Sequence, residues 1–320
     1  MSISIAGAAT ALNAQQITHR AEIDSKLRQV LEMENYLSPV TARDTYSAPN
    51  VATTEVLQPY QKEFTPKGDA TFNGEVYTLD KLKIDIEFEA DHLDQFFDTW
   101  KAEWDQLGER ERAAYTFPRW LYNTHIIPQL EEDIELKLVY NGVKAAPTPG
   151  TPGDAEDGTD GLAKRIADAI TASKIAPITT GALTAANILE KTEEFCDAIP
   201  QPYRDVAGDL LMSKTNARRY WRAYREAFGT GNSNMGNENN ELRVDGTNKR
   251  ILGFACMEGS NRIIFNPSNR RNLIKGYRRG GVIMPQIRWQ EFERTLKGLA
   301  EFHRFYGFNF AGHLFVNDQA

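Results

Sequence analysis

The spacing of apolar and polar positions divides the 320-residue chain into segments whose period changes several times. Residues 14–37 set Ile17, Ile23, Leu27, Val30, Leu31 and Tyr36 roughly on one helical stripe with charged residues between them, and Pro39 ends it. That stripe suits a helix lying on the chain's own core and an arm packed on a neighbour equally well. Residues 41–60 are rich in Thr, Ser, Ala, Pro and Asn without periodicity, as an extended arm would be. Val56, Leu57, Tyr60 and Phe64 then lead into a turn cluster at Pro66, Lys67, Gly68 and Asp69. Beyond it come Phe72, Val76, Tyr77 and Leu79. Residues 81–89 alternate strictly, which predicts a strand with two unlike faces and puts Ile84, Ile86 and Phe88 on one of them. The spacing predicts a hairpin over residues 58–88. A lone hairpin is marginal in water, so those faces need a partner surface, either the chain's own domain or a neighbour.

Helical spacing returns in residues 91–107, where Leu93, Phe96, Phe97, Trp100 and Trp104 share one face and acids the other. The two tryptophans read as core. A second aromatic stretch, residues 115–138, can start at Pro118, but Pro128 would kink or interrupt it. Residues 143–161, with three prolines and several glycines among acids, read as a flexible surface excursion. Helices are expected over residues 162–173 and 184–198, the second capped by Thr184, with a short buried strand at residues 210–213. An arginine-rich helix then runs from Thr215 or Asn216 to Phe228, followed by an Asn/Gly loop over residues 229–240. Strands over residues 250–257 and 261–265 flank a Glu258-Gly259-Ser260 turn, and residues 305–316 close the chain as a buried strand or strand pair.

Composition narrows the function. A net charge of −7 argues against a protein whose main task is gripping phosphate backbones. Two cysteines, Cys196 and Cys256, exclude a disulfide framework and a four-cysteine zinc site. No run of about 18 apolar residues appears and the start lacks a charged n-region, so neither a membrane span nor a signal peptide is expected, and the chain reads as cytosolic.

The chemistry-bearing residues do not assemble into a motif. The five histidines, His19, His92, His125, His303 and His313, show no metal-ligand pairing, and a lone one such as His303, read on an amphipathic helix, belongs to packing or surface. No nucleophile elbow, phosphate-binding loop or dinucleotide fingerprint follows a strand. Glu131, Glu132, Asp133 and Glu135 read as a solvated helix face, because consecutive acids point in different directions. Asp154, Glu156, Asp157 and Asp160 lack the closing glutamate of a calcium loop. No catalytic residue, metal ligand or cofactor is assigned. Charge is polarised, acidic from residue 80 to 135 and basic later, in Arg218, Arg219, Arg222 and Arg225 and again in Arg270, Arg271, Lys275, Arg278 and Arg279. Subunit contact, acidic patch to basic patch, is the expected use of the first arginine row; neutralising phosphates is the alternative.

Taken in order, the hairpin of residues 58–88, the aromatic helical stretch of 115–138 ending in acids and Asn141-Gly142, the excursion and the α/β half closed by residues 305–316 resemble the major capsid proteins of tailed bacteriophages, the Hong Kong 97 type. The resemblance spans about residues 58–318 and rests on the order of elements. It implies an α+β fold with an N-terminal arm (1–57), an extended loop (58–90), a peripheral domain with a long spine helix (91–142), a mainly axial region (143–285) and closing strands (286–320). It further implies a non-enzymatic subunit of an icosahedral virion head, assembled in the host cytoplasm. Its partners would be itself in hexamers and pentamers, scaffolding, portal and decoration proteins, and packaged DNA bound without sequence specificity, with no membrane. Contact residues would include Phe64, Lys67, Phe72, Ile84, Ile86 and Phe88 of the hairpin and the arginines at 218, 219, 222 and 225. No long helical prodomain precedes the arm, so assembly is expected to use a separate scaffolding protein or none. Two other readings remain open, an encapsulin-like compartment shell and an unfamiliar α/β enzyme or nucleic-acid-binding protein.

Overall fold

A computed structural model of the chain describes residues 32–49, 51–53, 55–68, 70–72, 74–229, 242–267, 272–279, 286–290 and 295–319. Of the N-terminal stripe the described part is helix α1 (Glu32–Tyr36), which buries Met33, Glu34 and Tyr36; residues 14–31, the loop of 230–240, Arg270 and Arg271 lie outside the described residues. The helix stops short of Pro39, whose missing N–H cannot continue it, and the chain goes on as strand β1 (Ser38–Ala42).

The hairpin starts earlier than its apolar residues suggest. Strand β2 (Thr45–Ser47) pairs antiparallel with β5 (Val76–Thr78), and further out β3 (Val51–Thr53) pairs with β4 (Ala70–Phe72), Phe72 opposite Val51. Residues 45–53, expected as an aperiodic arm, are therefore the outgoing limb. Ladders are made by the backbone, so a Thr- and Ala-rich segment joins one without showing a side-chain period.

Strand β6 (Asp80–Glu89) leads into helix α2 (Ala90–Gln106), the short α3 (Glu109–Ala114) and a long helix α4, residues 117–138. The expected interruption of α4 at Pro128 does not occur. A wide π-helical turn over Tyr122–Ile126 covers Thr124, the residue whose carbonyl the Pro128 ring would strike in an α-helix, and the helix continues through Ile127–Glu132. A second π turn, Asp133–Leu138, ends it. The excursion that follows is tied down at its base: Val143 and Ala145 donate backbone hydrogen bonds to Glu156 and Asp157 at 2.9 and 3.1 Å. Residues 143–154 are exposed throughout, but Thr159 is buried and Ala155, Gly158 and Asp160 are half-buried, so the segment is not a free surface excursion over its whole length.

Helices α5 (Leu162–Thr171), α6 (Ile188–Ala198) and α7 (Gln201–Arg204) precede strand β7 (Gly208–Ser213). Thr184 does not cap α6; Asn187, three residues later, stands at its N-cap. Ser213 caps α8 (Lys214–Phe228), its hydroxyl accepting from the Asn216 N–H at 3.2 Å. Strands β8 (Lys249–Phe254) and β9 (Ile264–Pro267) are not a hairpin: β7 lies between them, parallel to β8 and antiparallel to β9. With the C-terminal β13 (Phe315–Val316) they make a four-stranded sheet in the order β13-β9-β7-β8.

The other large sheet has the order β1-β10-β12-β11, built with β10 (Leu273–Arg278), β11 (Gln286–Gln290) and β12 (Thr295–Phe308). β6 joins it by pairing with β12 over its whole length, from Glu89 opposite Thr295 to Asp80 opposite Arg304. This corrects the hairpin: residues 80–89 are not its return limb. It also corrects His303, which lies on a strand of alternating burial and not on an amphipathic helix.

Four buried clusters stand out among the described residues, the smallest of them Tyr77, Leu79, Ile274 and Phe305 with Ala42 and Ala48 at the root of the hairpin. The main core fills the space between the two sheets, α1, α4 and α5, with Met33, Ile134, Leu138, Leu162, Tyr306 and Met257 among its members. A second lies under α6 and α8 on the other side of the four-stranded sheet. An aromatic core joins α2, the start of α4 and the far end of β6, where Trp100, Phe117 and Trp120 are at most 3% exposed. Both α5 and β10 belong to the main core although they fall within residues 143–285.

Candidate subunit-contact surfaces

The hairpin is fixed at its root and apolar at its tip. At the root Tyr77 is 2% exposed and stacks on Phe305, ring centroids 5.4 Å apart. Its hydroxyl donates to the Phe308 carbonyl at 2.8 Å and accepts from the Phe308 N–H at 3.1 Å. Burial pushes that phenol well above the ordinary tyrosine range, so it remains a neutral donor. Lys174 pairs with Glu75 and the Arg165 guanidinium sits 5.3 Å from the Tyr77 ring, adding charge around the root.

At the outer end Tyr60 is 95% and Phe64 94% exposed, with Leu57 and Val56 close behind. Lys67 organises this end, donating to the Leu57 carbonyl at 2.7 Å and pairing with Glu55 at 3.1 Å. Gln58 donates to the Thr65 carbonyl at 2.8 Å. Gly68 has φ +96°, a conformation side-chain-bearing residues rarely adopt, and a Cβ there would come within 2.7 Å of Val56. The tip thus has defined local structure and holds several large apolar side chains in water, the composition of a contact surface.

The other hairpin residues singled out in the sequence fall elsewhere. Ile84 packs on the main core, and Ile86 and Phe88 on the aromatic core, so the half-burial they have is supplied within the chain. The signal that would have placed them is the matching alternation of residues 295–308, which lies at the other end of the sequence.

Helix α8 turns Asn216, Tyr220 and Tyr224 inward and leaves Arg218, Arg222 and Arg225 exposed. Arg219 is half-buried and donates to the Asn216 side-chain oxygen at 3.1 Å, which ties it to its own helix. The arginine row carries an aromatic that charge reading missed: Trp221 is 38% exposed, with the Arg225 guanidinium 4.3 Å from its ring. Arg218 and Trp221 line a shallow cavity of about 380 Å³ against the edge strand, with Leu242, Arg250 and Leu252.

The acids of α4 are not a solvated face. Glu131 is 6% and Glu135 7% exposed, whereas Glu132 faces water. Glu135 accepts from the N–H groups of Met33 and Glu34 at 2.7 and 3.2 Å, and burial raises its pKa above the usual glutamate range. Among the described residues no cluster of three or more His, Cys, Asp or Glu is arranged to hold a metal ion. Both thiols are buried; burial pushes Cys196 up to about 12 and Cys256 higher still. His125 packs between Phe96 and Trp120, and His313 between Tyr203 and Phe310.

No family model matches this chain, and no curated protein matches it in sequence. Its fold does match solved structures. A chain of the satellite phage P4 procapsid, a particle that includes the size determination protein Sid, superposes with a TM-score of 0.62 at 12% identity, over 93% of this chain and 89% of that one. The capsid of an empty GTA particle matches at TM-score 0.49 and 11% identity, covering 89% of this chain and 88% of that chain. A virus-like particle from Pyrococcus furiosus matches at 0.48 and 9%, covering 93% and 97%. The chain has the α+β Hong Kong 97-like capsid fold.

Proposed function

We propose that the chain is a major capsid protein, assembling through hexamers and pentamers into the icosahedral head of a tailed bacteriophage. The observation that carries this reading is the hairpin: a projection rooted by Tyr77 in the subunit's own sheet, ending in Leu57, Tyr60 and Phe64 exposed to water. In this reading that projection would be the extended loop, α4 the spine, the sheet around β12 the peripheral domain and the sheet around β7 the axial domain. Phe64 and Lys67 would sit in the loop's contact with a neighbouring copy, and Phe72 on the outer ladder of the same hairpin. Arg218, Arg222 and Arg225, with Trp221, form a second face open to acidic surface on another subunit. Ile84, Ile86 and Phe88 serve the subunit's own fold.

This role is structural and calls for no reaction and no cofactor. The virion, assembled in the host cytoplasm, would be its location, with scaffolding, portal and decoration proteins and packaged DNA as partners. Among the described residues no helix is long and apolar enough to cross a membrane. Sedimentation of the full-length protein tests the reading. A shell subunit yields capsomers or megadalton particles; a 36.1 kDa species at every concentration and salt would overturn it.

A further inference from the structure

Helix α1 is a little over one turn long, yet it touches nearly every layer of the molecule. Met33 and Leu37 are 0% and 2% exposed in the main core. The N–H groups of Met33 and Glu34 reach Glu135 on α4. The Glu34 carboxylate, 1% exposed, lies 3.3 Å from the Arg304 guanidinium on β12 and 3.9 Å from the Lys275 ammonium on β10, and accepts from the Tyr277 hydroxyl at 3.4 Å. Two residues on, Tyr36 donates its hydroxyl to Asp209 on β7 at 3.0 Å and accepts from Asn266 on β9 at 3.2 Å. Glu32 pairs with Lys214 at the start of α8 at 2.6 Å.

Taking Glu34 away would leave Lys275 and Arg304, 5% and 6% exposed, in low-dielectric surroundings without its charge, which is costly for buried ions. Displacing the whole segment would in addition take from Glu135 its two backbone donors. Because Glu34 is bonded to one sheet and Tyr36 to the other within one helical turn, the segment cannot leave one sheet as a rigid body and keep the other.

We infer that residues 32–37 are a conformational latch that fastens the spine helix and both sheets to one another, so that displacing this segment releases all three together.

Hydrogen exchange on the full-length protein tests this. Glu34→Gln keeps the side chain's shape and removes its charge. The latch predicts at least tenfold faster exchange for the amides of Leu210, Leu211 and Met212 on β7, which Glu34 does not touch, and for residues 134–138 of the spine. Tyr36→Phe removes one hydroxyl and predicts the reciprocal effect on Ile274 and Gly276 of β10. Amides around Trp100 and Trp120 serve as the internal control and stay unchanged. Acceleration confined to each variant's own contacts, or a uniform rise that includes the control, overturns the latch. If Glu34→Gln does not fold, the Tyr36→Phe arm decides alone. The readout lies within one chain, so its result is independent of shell formation.

Discussion

The ring of Tyr77 rests directly against Gly307: a Cβ on that glycine would lie 2.5 Å from ring carbons. The hairpin's root is set by this absence of a side chain, since nothing larger leaves room for the tyrosine to stack on Phe305 and bond both polar groups of Phe308. Gly307→Ala should displace the ring and cost about 1–3 kcal/mol, the usual range for overpacking a filled site. A denaturant midpoint checks it, and an unchanged midpoint would mean that the ring shifts freely.

The tip behaves in the opposite way. Replacing Leu57 and Phe64 by Ser removes exposed apolar surface and no core, so the thermal melt should stay within about 0.5 kcal/mol of the parent. Particle yield should fall sharply. Full assembly by this variant would remove the tip from the contact surface.

Reversing Arg218 and Arg222 to Glu should block assembly and leave the fold intact. An exposed ion pair is worth at most about 1 kcal/mol, but the loss recurs at every equivalent contact. Circular dichroism and light scattering on the same sample separate the two effects, and normal assembly would place these arginines toward solvent or DNA.

Glu135 gives a pH dependence of unusual sign. Its carboxyl is raised by burial first, then by the charges of Glu34 and Glu32, against the lowering effect of its two backbone donors. Above the ordinary glutamate range the folded state therefore holds a proton that the unfolded chain has lost. That contribution to stability is complete below the unfolded pKa and disappears as pH rises through the folded one. The stability of the parent relative to Glu135→Gln should accordingly be greater at mildly acid than at neutral pH, measured by urea midpoints across that range. A difference independent of pH would show that Glu135 has the same protonation in both states.

Much of the fold was legible where the signal is local. The aromatic helical spacing of residues 91–138 and the arginine-rich helix ending at Phe228 follow from period. Pairings between distant segments were not. The strict alternation of residues 80–89 correctly marks a strand but says nothing of its partner, and the partner is β12 rather than the neighbouring hairpin limb. The outgoing limb was hidden for a different reason, because Thr45 to Ser47 pair through the backbone and carry no apolar stripe. Charge misled at Glu131 and Glu135, which read as part of a solvated helix face and are buried, Glu135 against the N–H groups of Met33 and Glu34. Of the candidate contact residues, Phe64, Lys67 and the exposed arginines could be named from sequence, whereas Trp221 could not, because its exposure depends on how the helix packs.

The central claim is that this chain builds a closed shell. Electron microscopy of the purified full-length protein, imaged at several concentrations at physiological salt, addresses it most directly. The account predicts rings of five or six subunits and closed particles, with the hairpin of each copy lying across the next. Fields containing only isolated compact monomers at every concentration, from protein whose circular dichroism shows it folded, would contradict it.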